Sequence, residues 1–382
     1  MEQSLVQLKT KLMKEYYKDF SKYAKGKAIE NKVAWVTAFT PVEILEALNI
    51  NYYYPESYAA VIAASGKEQM LMEESDRQYL VSDCCSYSCC FEGSISLEKG
   101  PRGIPPKPDV LIATNNQCNT LPNWWNILAA RYNVPLIVLD YPGESVEMQY
   151  AYKYVTRQHQ EFISKMEELS GNKIDVSILE KLIQFSKNSV NAWNQIVDEF
   201  ATRAIKPTEL FDGISFLITS RCKEETAQLY TLMRDEFRQY PLADSTLIPI
   251  FWLGYPLWYH PDRYLSEILD GFRVSGSNYV TWWSLDYSGA SIYESLFRAY
   301  NYTFLNLRQS TRTKRLLENI VRSQAIGAIA LHNKSCKCDF VSARDVGIPQ
   351  VELEIDMIDR TFLNIDKAKA QLDILKEAIC TT

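Results

Sequence analysis

Val110-Leu111-Ile112-Ala113-Thr114-Asn115-Asn116-Gln117-Cys118-Asn119 is an apolar run that breaks into an asparagine-bearing turn and then a cysteine. A second stretch has the same plan: Ile326-Gly327-Ala328-Ile329-Ala330-Leu331 runs into His332-Asn333-Lys334-Ser335-Cys336-Lys337-Cys338. Each reads as a buried strand, a turn, a cysteine and then a helix. The echo continues downstream. Cys118 is followed by a helical pattern over Leu121–Tyr132 and a run from Val134-Pro135 to Leu139-Asp140, and Cys336 by Val341–Val346 and a run from Ile348-Pro349 to Ile355-Asp356. One βαβ unit is written twice, which predicts two α/β halves with parallel sheets. In such sheets ligands gather outside the carboxyl ends of the strands, where both cysteine-bearing turns are expected.

A third group of thiols stands apart from these two. Cys84-Cys85-Ser86-Tyr87-Ser88-Cys89-Cys90 packs four of the chain's nine cysteines into seven positions ahead of a helical pattern. One of them and the two strand-end cysteines are placed to meet at one point. The chain has 382 residues, 47% hydrophobic and 23% charged, a globular composition long enough for two or three cores. The N-terminus lacks the pattern of a signal peptide and no run of eighteen apolar residues occurs, so the expectation is a soluble cytoplasmic protein that does not enter a membrane. Bunched cysteines in a reducing compartment do not form a disulfide framework. A net charge of −6 argues against nucleic acid, whose binders carry a basic face.

In chain order, Leu5–Tyr23 reads as an amphipathic helix and Val33–Thr37 as the first strand. Thr40-Pro41 with Glu43 three positions on resembles a capping box at the start of a helix. Tyr52–Tyr54 stops at Pro55, Ser57–Ser65 is a short helix, and Cys85–Leu97 is a helix whose N-terminal turns favour thiolates. The proline-rich stretch 100–108 is a connector. Long helical periodicity then covers Glu147–Glu168 and Ile174–Ala204 with a break at Gly171-Asn172. Ile214–Thr219 is taken as the strand that opens a second βα series, followed by a helix over Arg221–Arg238, a strand over Leu247–Leu253, the stretch Val280–Trp283, helices near Ser291–Tyr300 and Thr311–Gln324, and a closing helix over Arg360–Ile379. The expected division is 1–145, an α/β domain carrying Cys85 and Cys118; 146–210, a helical bridge; and 211–382, an α/β domain carrying Cys336.

Zinc is the first competitor for the thiols, but structural zinc sites pair their ligands in short knuckles, and Cys118 stands alone while Cys336-x-Cys338 is too tight. A redox pair is disfavoured because no C-x-x-C occurs. An iron–sulfur cluster suits the pattern better, since thiolates from separated strand ends can hold a cubane. Three thiolates on four irons leave one iron open, which is a position for chemistry. Cys222 and Cys380, each alone on a helix, read as small apolar residues.

The motifs also match a family. Pro41-Val42-Glu43-Ile44 with Ala47, Tyr54-Pro55-Glu56-Ser57-Tyr58-Ala59-Ala60-Val61, Ser82-Asp83 leading into Cys85-Ser86-Tyr87, Asn115-Asn116-Gln117-Cys118-Asn119, Val134-Pro135 through Leu139-Asp140-Tyr141-Pro142, and His332-Asn333-Lys334-Ser335-Cys336-Lys337 span almost the whole chain. In these the chain resembles the iron–sulfur subunits of 2-hydroxyacyl-CoA dehydratases and ATP-dependent benzoyl-CoA reductases, on the side of the beta-type subunit of (R)-2-hydroxyglutaryl-CoA dehydratase. The resemblance implies two Rossmann/flavodoxin-like parallel-sheet domains joined by a helical segment, with Cys85, Cys118 and Cys336 holding one [4Fe–4S] cluster. The extra thiols Cys84, Cys89, Cys90 and Cys338 depart from the family pattern and leave Cys84 or Cys89 as substitutes for the first ligand.

The same resemblance implies a lyase that removes water reversibly from an (R)-2-hydroxyacyl-CoA by radical chemistry. The partners it implies are a homologous alpha-type subunit in a heterodimer, a separate ATP-hydrolysing iron–sulfur activator that delivers a low-potential electron, and a CoA thioester substrate. A beta-type subunit would relay that electron to the partner. The alternatives are a benzoyl-CoA-reductase-type subunit and a non-catalytic iron–sulfur electron carrier. ATP use is assigned to another protein, because this chain has no G-x-x-x-x-G-K-[ST] motif. Thr37, Thr40 and Glu43 are candidates for the cleft at the first strand end, with capping the expected job of the last two. His332 and Lys337 flank the third ligand and are candidates for hydrogen bonds to its sulfur.

Overall fold

A computed structural model describes residues 4–78, 84–336 and 347–381. Eight strands form two four-stranded parallel sheets. The first contains β1 (Val33–Val36), β2 (Asn51–Tyr53), β3 (Val110–Thr114) and β4 (Leu136–Leu139) in the order β2-β1-β3-β4. The second contains β5 (Ile248–Leu253), β6 (Phe272–Ser277), β7 (Gly327–Asn333) and β8 (Gln350–Ile355) in the order β6-β5-β7-β8. The two orders are the same, and the duplicated unit of the sequence occupies the same two places in each sheet. Among the described residues the architecture is α/β with two parallel sheets, as expected.

The central strands are apolar because helices cover both faces of the sheet. All four residues of β1 and all five of β3 are buried. Such strands read as continuous Val/Ile/Leu runs without alternation, and each fully buried side chain contributes about 1.5–3 kcal/mol. The edge strand β4 leaves Val138 exposed. Helices Met148–Ser170 and Val176–Thr202 follow the first sheet, separated by Gly171 at φ 73°, a left-handed position that glycine adopts without strain. Asp175 caps the second of these helices, accepting the N–H groups of Ser177 and Ile178. Their apolar stripes enter one large core that includes residues of both sheets.

Four local expectations are corrected. Ile214–Thr219 is the last part of a helix, Pro207–Thr219. Its β-branched residues suggested a strand, but Leu210, Phe211, Ile214, Leu217 and Ile218 repeat at helical spacing and are buried, and Pro207 occupies the first turn where its missing N–H is harmless. The stretch Val280–Trp283 falls within and just after a short helix, Asn278–Trp282; the strand of that region is β6, immediately before it. The first amphipathic segment is two helices, Leu5–Tyr16 and Lys18–Tyr23. Finally, no capping box forms at Thr40: the helix Val42–Ala47 has Pro41 at its N-cap with no side-chain cap. The expected helix over Val341–Val346, with Ser82, Asp83, Lys337 and Cys338, lies outside the described residues.

Two features set the first cysteine-bearing helix, Ser86–Leu97. It packs on helix Glu68–Gln78 so closely that a Cβ added at Gly93 would lie 1.7 Å from the carbonyl oxygen of Leu71. Met357 and Ile358, which follow β8 in the second half, are buried in the core that this helix shares with β1 and β3.

Candidate functional site: a three-thiol centre beside an aromatic cavity

Cys85 is the N-cap of helix Ser86–Leu97. Cys118 lies four residues beyond β3 and Cys336 three residues beyond β7, so two thiols come from corresponding strand ends of the two sheets. All three are partly buried and pack against the same core. The halves meet beside them: Ser86 Oγ and Ser335 Oγ, each the neighbour of a candidate ligand, are 2.8 Å apart, and Ser335 Oγ donates to Asp356 Oδ2 at 2.5 Å.

Burial pushes the Cys85 thiol well up, the Cys336 and Cys118 thiols push it further, and the N–H groups of Ser88 and Tyr87 pull it down. Helix N-terminal N–H groups favour a thiolate, but three clustered thiolates repel unless a cationic centre compensates them. Cys89 is raised to about 12 by burial, then by Cys84 and Asp76, and Cys90 is raised by burial and then Glu68. Both are buried within the helix packing, whereas Cys85 is only partly buried, like Cys118 and Cys336. A four-iron cubane spreads its ligands over a larger body than a single metal ion, and thiolates from separate strand ends can hold it. The donor set, three soft thiols and an N-terminal helix turn, fits the larger group.

The other cysteines have structural places. Cys222 is fully buried with its thiol 3.7 Å from Tyr52 Oη, and Cys380 is exposed at the end of the last helix.

The expected cleft residues are differently employed. Thr37 Oγ1 is 2.9 Å from Thr114 Oγ1 and 3.3 Å from Thr40 Oγ1, which joins the carboxyl ends of β1 and β3. Glu43 is fully buried and accepts from Ser186 Oγ at 2.7 Å, Tyr287 Oη at 2.7 Å and Tyr300 Oη at 2.6 Å, with Arg221 Nε 3.5 Å away. Arg221 in turn donates to the carbonyl oxygen of Thr40 at 2.6 Å and to Tyr300 Oη at 2.8 Å. This buried network ties the end of the first β-α turn to the second half. His332 is largely exposed and pairs with Glu352 across β7 and β8 at 3.3 Å. Asn116 also bridges the halves, donating to the carbonyl oxygen of Tyr300 at 2.8 Å.

A cavity of about 420 Å³ opens beside the thiols. Glu56, Gln117 and Tyr87 line its thiol side, and Tyr255, Trp258, Tyr279, Trp282 and Trp283 form much of the wall. Trp258 donates from Nε1 to Tyr87 Oη at 2.6 Å. The Glu56 carboxylate accepts the Ala38 N–H at 3.1 Å and the Gln117 amide at 3.4 Å. Burial raises Glu56 to about 8, with Cys118 adding to the shift. Sequence reasoning gave Glu56 no role, although the Pro55-Glu56-Ser57 stretch stood in the motif set. It had no signal for Arg221, whose partners lie far off in the chain.

Comparison with known proteins gives a coherent result. A family model described as 2-hydroxyglutaryl-CoA dehydratase, D-component, matches residues 37–379. The chain is 26% identical to the lactoyl-CoA dehydratase subunit alpha of Anaerotignum propionicum, over 93% of this chain and 91% of that protein. It is 23% identical to the (R)-phenyllactyl-CoA dehydratase alpha subunit of Clostridium sporogenes, over 92% of each. It is 23% identical to a benzoyl-CoA reductase subunit of Thauera aromatica, over 53% of this chain and 50% of that protein. The two dehydratase subunits carry the designation alpha, where the sequence reading expected the beta type.

Proposed function

This chain belongs to the 2-hydroxyglutaryl-CoA dehydratase D-component family, and on that premise we propose that it is an iron–sulfur subunit of a radical 2-hydroxyacyl-CoA dehydratase. The reaction is the reversible removal of water from an (R)-2-hydroxyacyl-CoA to give a 2-enoyl-CoA. Cys85, Cys118 and Cys336 hold one [4Fe–4S] cluster, and the working enzyme includes a homologous partner subunit and a separate ATP-hydrolysing iron–sulfur activator. Bound there, such a cluster supplies low-potential electron transfer and one iron without a protein thiolate. The observation that carries this reading is the hydrogen-bonded contact of Ser86 with Ser335, which holds Cys85 and Cys336 in one place although they are far apart in the chain.

The chain's own residues do the rest. Burial disfavours the Glu56 carboxylate and so favours its protonated form. A carboxyl group in that form can give its proton to a departing hydroxyl group. The tyrosines and tryptophans of the wall exclude water from the same space.

A pure relay subunit, the beta-type role, needs a cluster but no acyl cavity. The cavity beside the thiols and the alpha designation of the dehydratase relatives favour the subunit that binds the thioester. Dehydratase is preferred to reductase because similarity to the dehydratase subunits extends over nine-tenths of the chain, against about half for the reductase subunit.

The test is iron and acid-labile sulfide content of anaerobically purified protein. Cys118→Ala and Cys336→Ala are expected to lose the cluster, and Cys222→Ala and Cys380→Ala to keep it. Full iron retention in Cys336→Ala sinks the ligand assignment. Dehydration of a 2-hydroxyacyl-CoA with the activator and partner present tests the reaction.

A further inference from the structure

The walls of the cavity carry information about the acyl chain. Phe39 and Trp283 have ring centroids 4.8 Å apart, Tyr255 meets Trp282 edge-on at 5.3 Å, and Tyr279 lies 5.2 Å from Trp282. These rings are held by one another, and Trp282 is also stacked on Phe304 at 5.7 Å. Preformed aromatic surfaces of this kind bind flat apolar groups by dispersion and edge-to-face contact with little ordering cost.

The charges lining the space are few and do not sum to a carboxylate site. Lys9, Asp212 and Glu56 are the ionisable acid and base side chains on the wall. Lys9 is the one Lys or Arg side chain on that wall among the described residues, and Asp212, an acid, stands on the same wall. Both oxygens of Glu56 already accept hydrogen bonds, from the Ala38 N–H and the Gln117 amide. A dicarboxylic acyl chain would therefore bring a charge into an aromatic space without a free partner, which is strongly unfavourable.

Two buried donors also point to a ligand. The indole N–H groups of Trp282 and Trp283, 2% and 5% exposed, have no hydrogen-bond partner among the described residues. Buried donors without partners are uncommon in native structures, and a carbonyl oxygen of a bound thioester or its pantetheine amide would satisfy one of them.

We infer that this cavity takes the acyl end of an apolar, phenyl-bearing 2-hydroxyacyl-CoA and rejects a dicarboxylic one. The inference rests on the proposed function and adds the class of substrate. It is tested by calorimetric titration of the anaerobically purified protein, with any co-purifying subunit, using 3-phenylpropanoyl-CoA, glutaryl-CoA and free CoA. The two thioesters lack the 2-hydroxyl and do not turn over. The phenyl thioester is expected to bind at least tenfold more tightly than glutaryl-CoA. Trp282→Phe, which keeps the ring and removes the N–H, is expected to weaken both thioesters severalfold while leaving their order unchanged.

Equal or tighter binding of glutaryl-CoA overturns the inference, as does binding of the phenyl thioester no tighter than free CoA. Iron content of the same sample reports separately on the function. A sample with its cluster that prefers glutaryl-CoA overturns the acyl class alone, and an iron-free sample that still prefers the phenyl thioester overturns the iron–sulfur function alone.

Discussion

Arg221→Met tests whether the buried Glu43–Arg221 network holds the two halves in register. The guanidinium is 1% exposed and donates to Thr40 O at 2.6 Å, to Tyr300 Oη at 2.8 Å and to the carbonyl oxygens of Leu217 and Ile218 at 3.2 and 3.3 Å. Methionine fills much of the stem's volume but leaves Glu43 buried without its cation. Breaking one side of a buried ion pair costs about 3–5 kcal/mol. Glu43 still accepts from the hydroxyl groups of Ser186, Tyr287 and Tyr300, so the expected loss is at the lower end, about 3 kcal/mol. With a urea dependence on the order of 3 kcal/mol/M, the midpoint of the tryptophan-fluorescence transition falls by about 1 M. Glu43→Gln with Arg221→Met keeps an acceptor and removes both charges. That double variant is expected to regain at least half of the lost stability, a coupling that only interacting residues show. An Arg221→Met midpoint equal to that of the unsubstituted protein, or a double variant whose losses simply add, refutes the reasoning.

Gly93→Ala places a methyl group against the Leu71 carbonyl oxygen and must push helices Ser86–Leu97 and Glu68–Gln78 apart; a loss of about 1–3 kcal/mol or more in urea unfolding is expected, together with lowered iron content. A midpoint and iron content unchanged by the alanine would show that the two helices tolerate separation. Burial lowers His159 to about 3, so it is neutral in the fold and its Nε2 lies 2.9 Å from Tyr141 Oη. The unfolded chain binds the extra proton between its ordinary value near 6.5 and the folded value. Stability from this residue is therefore full above pH ~6.5 and is lost as pH falls toward 3, by at most about 1.4 kcal/mol per pH unit. His159→Asn is expected to flatten urea stability against pH over that window, and a slope unchanged by the substitution would exclude the role.

The strands were readable where an apolar run stands out between its turns: Val33–Val36 and Val110–Thr114 are buried throughout, and Ile248–Leu253 and Gly327–Asn333 over part of their length. The long helices Met148–Ser170 and Val176–Thr202 showed through their periodicity and the Gly171 break. The helix Pro207–Thr219 did not, since its last six residues are rich in β-formers and tertiary burial of a helical stripe outweighs that local preference. Thr40 and Glu43 have capping spacing, yet the partners that claim them are Thr37, Ser186, Tyr287, Tyr300 and Arg221, which no local pattern connects.

By itself the sequence determined the paired strands of the two units, the two parallel sheets and the family, because apolar periodicity and short motifs are local properties of the chain. Only the tertiary structure decided that Ser86 meets Ser335, that Glu56 is buried, and that Trp282 and Trp283 wall the same cavity as Glu56. Those facts depend on how the two sheets are placed against each other. That placement is set by contacts between residues distant in sequence, among them the buried charge of Arg221 and the Asn116–Tyr300 bond.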